Sequence, residues 1–260
     1  VTTKLLLLNN PHNAMGKAYT RDELEQVAAL AKRHDLIVLA DEVYAPLTFD
    51  CEHVCLASLD GMAERTVTIG SAGKSFSVTG FKLGWTIAPP HLSAAMAAVH
   101  QYVAFCSPTP LQEAVAVALE NCGADHGALN DAQHQSSYWA RTRAYYAAKR
   151  ARLRAALNAA RLPVTLPDGG YFMLADMRAL HGGSASDVRG DEQHAFDWRF
   201  CEHLCRHHLV CAIPPSAFYS AERRDAVPHL ARFAFCKSDA MIDLGAQRLA
   251  DAAAAAAASP

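Results

Sequence analysis

Four short segments of this chain put reactive or charged groups where a backbone is expected to turn or a strand to end. They are Asn9-Asn10-Pro11-His12-Asn13-Ala14-Met15-Gly16, Asp41-Glu42-Val43-Tyr44, Ser71-Ala72-Gly73-Lys74, and Arg232 within Leu230-Ala231-Arg232-Phe233-Ala234-Phe235. Together they offer amides, carboxylates, a phenol, a primary amine and a guanidinium. The first three follow apolar runs, and in an open α/β sheet ligands sit beyond the carboxyl ends of the strands. Singly, each has a bland reading. Asn, Asp and Pro punctuate ordinary turns, Tyr44 could be half-buried core, and an arginine beside a strand is more often a surface residue. In combination the bland reading loses ground, because several motifs in their expected context are stronger than any one alone.

Other chemistries suggested by short matches fail on their missing parts. Ser71 to Lys74 fits the serine-x-x-lysine of penicillin-binding proteins, but neither Ser-Asp-Asn nor Lys-Thr-Gly occurs in the chain. Gly73-Lys74-Ser75 imitates the end of a Walker A loop, yet the position that requires the first glycine holds Thr68. On a helix, Cys201, Cys205 and His208 share a face and could ligate zinc. That helix needs Phe200, Leu204 and the small cysteines for its apolar face, and no second ligand pair appears at zinc-like spacing, so no metal is expected. Cys51, His53 and Cys55 alternate as in a loop or short strand and receive no role.

The elements that must position these groups follow from the apolar pattern. Runs at Lys4 to Leu8, Leu36 to Ala40, Thr66 to Ile69 and Leu83 to Ala88 alternate with helical stretches, which argues for a parallel sheet covered by helices. The helix over Thr20 to His34 has a capping box at Thr20 and Glu23, one face of Leu24, Val27, Ala28, Leu30 and Ala31, and basic residues at its end. Helical patterns continue over His91 to Asn121, broken at Ser107 to Pro110, and over Ser137 to Ala160. After Pro163 the texture changes to short strands (Tyr171 to Asp176, Leu209 to Ile213, His229 to Phe235) and helices (Gln193 to His207, Asp239 to Ala257). Gly182 to Gly190 reads as a surface loop. The expected division is residues 1–136 as the C-terminal part of a large domain, and 137–260 as an interdomain helix with a smaller α+β domain.

With 260 residues, 51% hydrophobic and 19% charged, the chain can bury a substantial core. A formal charge of −2 and the lack of clustered Lys and Arg argue against nucleic acid as a partner. No apolar run approaches the roughly 20 residues needed to cross a bilayer. Eight irregularly spaced cysteines suit reduced thiols better than a disulfide framework.

The order and spacing of the four segments resemble the fold-type I aminotransferases of class I/II, over nearly the whole chain. The resemblance is closest to the kynurenine aminotransferase, glutamine transaminase K and cysteine-conjugate β-lyase branch. There the turn reads like Asn-Asn-Pro-His-Asn-Pro, the lysine segment like Ser-Ala-Gly-Lys-Thr-Phe-Ser, and a lysine precedes Gly-Trp, as Lys82-Leu83-Gly84-Trp85 does here. The resemblance implies the PLP-dependent transferase fold of type I, and pyridoxal 5′-phosphate (PLP) as cofactor. It makes Lys74 the residue bonded to the cofactor aldehyde and the general base at the substrate α-carbon. For that, Lys74 must be a neutral amine, well below the ordinary value of about 10.4. Asp41 would face the pyridine nitrogen, Tyr44 and Asn13 the ring oxygen, and Ser71 and Lys82 the phosphate, where most relatives use arginine at the second place. Arg232 would clamp the substrate carboxylate in a bidentate pair, with Asn13 also on the substrate side. His100, Tyr102 and Phe105, within or beside a segment from Gln101 to Pro110 that resembles a substrate-side loop, would offer an aromatic surface.

The implied substrates are an aromatic or sulfur-containing amino acid of the kynurenine, glutamine or phenylalanine type and a 2-oxo acid. β-Elimination from cysteine conjugates or decarboxylation at the same site is the alternative, because PLP stabilises the carbanion whichever bond breaks. Ala14 stands where relatives show proline, which loosens the turn but leaves the Asn13 amide. A strand opening at Lys4 without an initiator Met leads us to expect sequence upstream of Val1. In relatives that region supplies a glycine-containing phosphate turn, a ring-stacking aromatic and much of a homodimer interface. The 260 residues alone could therefore be a catalytically incompetent fragment. A cytoplasmic location is expected, with a mitochondrial one open.

Overall fold

The structure is a computed structural model that describes residues 3–122, 137–180, 196–227 and 229–258. It divides into two compact units. The first comprises Val1–Asn13, Lys17–Ala144 and Asp168–Gly170; the second comprises Ala14–Gly16, Tyr145–Pro167 and Tyr171–Pro260. One of the crossings between them, from Ala144 to Tyr145, falls within a helix. Two expected features, the loop from Gly182 to Gly190 and a helix start at Gln193, fall outside the described residues.

In the first unit β1 (Leu5–Asn9), β2 (Ile37–Asp41), β3 (Thr66–Ser71) and β4 (Gly84–Ile87) form one sheet in that order. β1, β2 and β3 are parallel, and β4 runs antiparallel to β3. The sheet is thus mostly parallel. A parallel return needs a crossover, usually through a helix. Between β3 and β4 there is only α2 (Ala72–Ser75) and a single 3₁₀ turn at Thr79–Phe81, so the chain doubles back.

Helix α1 (Arg21–Arg33) crosses from β1 to β2 and starts where its cap is complete. Thr20 Oγ1 accepts from the Glu23 amide at 3.2 Å, and the Glu23 carboxylate accepts from the Thr20 amide at 2.9 Å. Alternation along the strands turns Leu8, Val38 and Ala40 toward Leu24, Ala28 and Ala31 of α1. Leu36, Leu56, Leu59 and Met62 complete that core, where each large side chain contributes about 1.5–3 kcal/mol by leaving water. The helical region after β4 is two helices, α3 (Pro90–Val103) and α4 (Thr109–Asn121), broken beyond Phe105 at φ 63°.

In the second unit α5 (Tyr138–Ala159, from Tyr145 onward), α6 (Phe196–His208) and α7 (Asp239–Ala258) accompany a three-stranded antiparallel sheet. Its strands are β5 (Val164–Thr165), β6 (Phe172–Asp176) and β7 (Leu230–Ala234). Lys149 donates to Asp239 at 2.6 Å, and Arg152 makes a two-pronged pair with Asp243 at 2.6 Å on both prongs, tying α5 to α7. The strand expected over Leu209 to Ile213 does not form; only an isolated bridge joins Ile213 to Arg232. Leu209 has left-handed backbone (φ 55°), Val210 bonds back to Leu204 O at 3.3 Å to close α6, and Pro214 has no amide to extend a ladder. Among the described residues no helix is long and apolar enough to cross a membrane.

Candidate active site

The carboxyl ends of β1, β2 and β3 lie side by side, with Asn9 in register with Asp41 and Asp41 with Ile69. Each strand leads into one or two of the expected groups. β1 runs into the turn that carries Asn13, β2 ends on Asp41 with Tyr44 three residues on, and β3 ends on Ser71, which opens the single turn of α2 bearing Lys74. Asn13, Asp41, Ser71 and Lys74 are all half-buried and Tyr44 is buried. Lys74 Nζ lies 5.9 Å from the centroid of the Tyr44 ring. Residues bearing an amine, a phenol, a carboxylate and an amide thus follow the carboxyl ends of three adjacent strands.

Asn9 braces this arrangement, a role its sequence motif does not announce. Its side-chain nitrogen donates to Asp41 O at 3.0 Å, and its side-chain oxygen accepts from the Asn13 amide at 2.6 Å. One side chain therefore fixes the Asn13 turn to the end of β2. The Asp41 carboxylate accepts from the Val43 amide at 3.4 Å. In the same turn His12 is half-buried, its Nδ1 has no hydrogen-bond partner, and burial holds its pKa below the ordinary value.

The Lys74 segment is supported from below and beside. Tyr138 donates its hydroxyl to Ser75 O at 2.9 Å, and Phe76 packs on Tyr138 and Trp139 with ring centroids 5.4 and 5.5 Å away. A Cβ on Gly73 would stand 3.0 Å from Thr79 Cα, so a larger residue there would push the turn away from α2 by a few tenths of an ångström. Lys82 ends that turn in left-handed backbone at φ 52° and is exposed. At the edge of the sheet Trp85 lies flat on Gly70, where a Cβ would fall 2.2 Å from the indole nitrogen.

Arg232 belongs to the second unit. It sits in β7 opposite Leu174, with its guanidinium carbon 4.0 Å from the Phe172 centroid and 4.9 Å from that of Phe218. Two aromatic rings thus hold the guanidinium plane. Neither phenylalanine is identifiable from its sequence position; only the β6–β7 register and the Pro215–Phe218 turn bring them to Arg232. That turn is pinned by Asp197, a buried carboxylate accepting from the Ser216 amide and hydroxyl at 2.7 Å each. His100, Tyr102 and Phe105 are exposed, Tyr102 at 86%. On α6, Cys201 is buried and its thiol is pushed up to about 12, chiefly by desolvation; Cys205 is exposed. Among the described residues no group of three or more His, Cys, Asp or Glu is placed to hold a metal.

Fold and site together define an α/β protein that presents a lysine, a carboxylate and a phenol at the ends of parallel strands. The chain belongs to the aminotransferase class I and II family, whose model matches residues 1–249. It is 41% identical over 244 residues to kynurenine--oxoglutarate transaminase of Dictyostelium discoideum, covering 91% of this chain and 54% of that protein. It is 41% identical over 242 residues to kynurenine--oxoglutarate transaminase 3 of Rattus norvegicus, covering 93% and 51%. Among solved structures, Bna3p of Saccharomyces cerevisiae superposes with a TM-score of 0.87 at 32% identity, over 97% of this chain and 57% of that one. N-Succinyldiaminopimelate aminotransferase of Mycobacterium tuberculosis gives 0.82 at 36% identity, over 96% and 58%. The chain spans about half the length of the curated relatives it matches.

Proposed function

We propose that this chain carries the lysine-bearing part of a PLP-dependent aminotransferase. On this reading an aromatic or sulfur-containing amino acid of the kynurenine, glutamine or phenylalanine type is the amino donor and a 2-oxo acid the acceptor. The observation that carries the reading is the donor set at the ends of β1 to β3, with Lys74 Nζ 5.9 Å from the Tyr44 ring. That set fits the cofactor: a primary amine for its aldehyde, a carboxylate for its pyridine nitrogen, a phenol and an amide for its ring oxygen, and Ser71 for its phosphate, to which the resemblance adds the exposed Lys82 of the turn before β4.

When bound, PLP supplies an electron sink for a carbanion at the substrate α-carbon. The chain's own residues do the rest. Asp41 keeps the proton on the ring nitrogen by electrostatic pairing. Tyr44 and Asn13 donate to the ring oxygen and fix the ring's orientation. Lys74 Nζ holds the cofactor before substrate arrives and afterwards takes the proton from the substrate α-carbon. Arg232, whose guanidinium is held against the Phe172 and Phe218 rings, pairs with the substrate carboxylate and so selects amino acids and 2-oxo acids. The relatives' names support the kynurenine-type donor, and we expect the whole protein to be a homodimer.

The test is a turnover panel of kynurenine, glutamine, phenylalanine and aspartate, each with several 2-oxo acids and PLP. Preference for the first three supports the reading, and a strong preference for aspartate overturns the donor class. The share of the relatives that the chain spans favours one competing reading, that these residues hold an incomplete site. PLP attachment to Lys74 without turnover of any pair would select it.

A further inference from the structure

Successive side chains on a strand point to opposite faces. At the ends of β1 and β2 the residues after Asn9 and Asp41 turn inward: Asn10 is 2% exposed and Glu42 6%. Both reach the same stretch of chain, residues 53–56. Asn10 Nδ2 donates to Val54 O at 3.5 Å while its Oδ1 accepts from the Tyr19 amide at 3.0 Å. Glu42 Oε1 accepts from the Leu56 amide at 2.9 Å, and Glu42 Oε2 lies 2.9 Å from His53 Nε2. The His53 side chain is 13% exposed, and its Nδ1 is buried with no hydrogen-bond partner. Nε2–H is therefore the donor to Glu42.

A buried carboxylate is costly unless its oxygens are bonded, and here both are. The Cys55 thiol, which also faces Glu42, is pushed up first by burial and then by that negative charge. The backbone of Glu42 is held as well: its amide donates to Ile69 O at 3.2 Å and its carbonyl accepts from the Ala45 amide at 2.9 Å. The turn from Asp41 to Tyr44 thus hangs on a residue whose side chain is anchored on the far side of the strand from the candidate site.

We propose that Glu42 and His53 form a buried positioning pair. Glu42, held by His53 Nε2–H and the Leu56 amide, fixes the Asp41–Tyr44 turn and thereby aims the Asp41 carboxylate and the Tyr44 phenol at the cofactor. The aim at a cofactor rests on the function proposed above; the clamp itself does not.

Two substitutions of similar size separate a hydrogen-bond donor from a space filler. His53→Leu fills the volume and removes the donor, while His53→Gln restores an N–H for Glu42 Oε2. Amide hydrogen exchange of residues 42–47, measured on the cofactor-free chain, should quicken about tenfold in His53→Leu, the equivalent of one lost charged hydrogen bond, and return to near wild type in His53→Gln. With PLP bound, the pH midpoint of its visible absorption should move by about one unit in His53→Leu and return in His53→Gln. Wild-type exchange in His53→Leu, or equal acceleration in both variants, overturns the proposal. Should His53→Leu not be recovered folded, Glu42→Gln decides. It turns an N–H toward His53 and forces a buried proton onto Nδ1, so wild-type exchange in that variant overturns the proposal and faster exchange supports it. Failure of the wild-type chain to attach PLP at Lys74 defeats the cofactor reading alone, since the exchange experiment contains no cofactor.

Discussion

Replacing Asn9 by alanine removes one side chain that braces two of the groups assigned to the cofactor. Two hydrogen bonds disappear, the 3.0 Å donation to Asp41 O and the 2.6 Å acceptance from the Asn13 amide. At about 0.5–1.5 kcal/mol for each neutral bond, and with Asn9 half-buried, the expected loss is about 1–2 kcal/mol. Asp41 O keeps its bond from the Asn10 amide at 3.0 Å, so the strand end survives while the Asn13 turn loosens. If the loss falls on stability, the thermal midpoint of the first unit drops by about 2–8 °C. If it falls on cofactor geometry, PLP dissociates about 5–30-fold more readily. Thermal unfolding followed by circular dichroism and a PLP titration, run on the same preparation, divide the two. Asn9→Asp is the control. It keeps the acceptor for Asn13 but sets a second oxygen against Asp41 O, so it should do no better than alanine. Wild-type stability together with wild-type PLP affinity in Asn9→Ala would refute the bracing argument.

Gly70→Ala puts a methyl 2.2 Å from the Trp85 indole nitrogen, and displacing the ring should cost about 1–3 kcal/mol. A shift in Trp85 fluorescence with lowered thermal stability is expected; an unchanged spectrum contradicts it. Arg232→Lys loses both the forked pair and the stacking on Phe172 and Phe218, so KM for the amino acid should rise about tenfold or more while PLP attachment is unchanged. Equal KM values would remove Arg232 from substrate binding. The Asp239 carboxyl is held below its ordinary 3.8, first by the hydrogen bond from Lys149 and also by the charges of Lys149 and Arg152. A depressed carboxyl stabilises the fold above the unfolded-state value and loses that contribution as pH falls through the lower folded value. Asp239→Asn should therefore be less stable than wild type at neutral pH, and the gap should begin to close only as pH falls below the ordinary carboxyl value of 3.8 and vanish beneath the lower folded one, as read from urea midpoints at several pH values. A difference independent of pH would contradict this.

Helix α1 was legible because every signal for it is local: the Thr20–Glu23 box, the Leu24-Ala28-Ala31 face and the basic last turn all lie within one stretch. β1 to β3 were legible for the same reason, and with them the placement of Asp41, Ser71 and Lys74 at strand ends. The direction of β4 was not, since an apolar run gives a strand but no sense of travel. Leu209 to Ile213 had a strand's composition, but Leu209 was already committed to left-handed backbone at the end of α6. β5 is only two residues long, too short for any pattern. The supporting residues were the least legible part of the site. Asn9 meets Asp41 across 32 positions, Glu42 meets His53 across 11, and Phe172 and Phe218 reach Arg232 only through the packing of the second unit. Residue type announces the groups that do chemistry; the groups that hold them are fixed by tertiary contact.

The most direct measurement is covalent capture at Lys74. The purified chain would be incubated with PLP, reduced with borohydride and mapped by peptide mass spectrometry, beside Lys74→Ala. The account predicts a reduced adduct on Lys74 that the variant lacks. An adduct spread over other lysines, or none above the variant's background, would contradict the assignment of Lys74 in this chain.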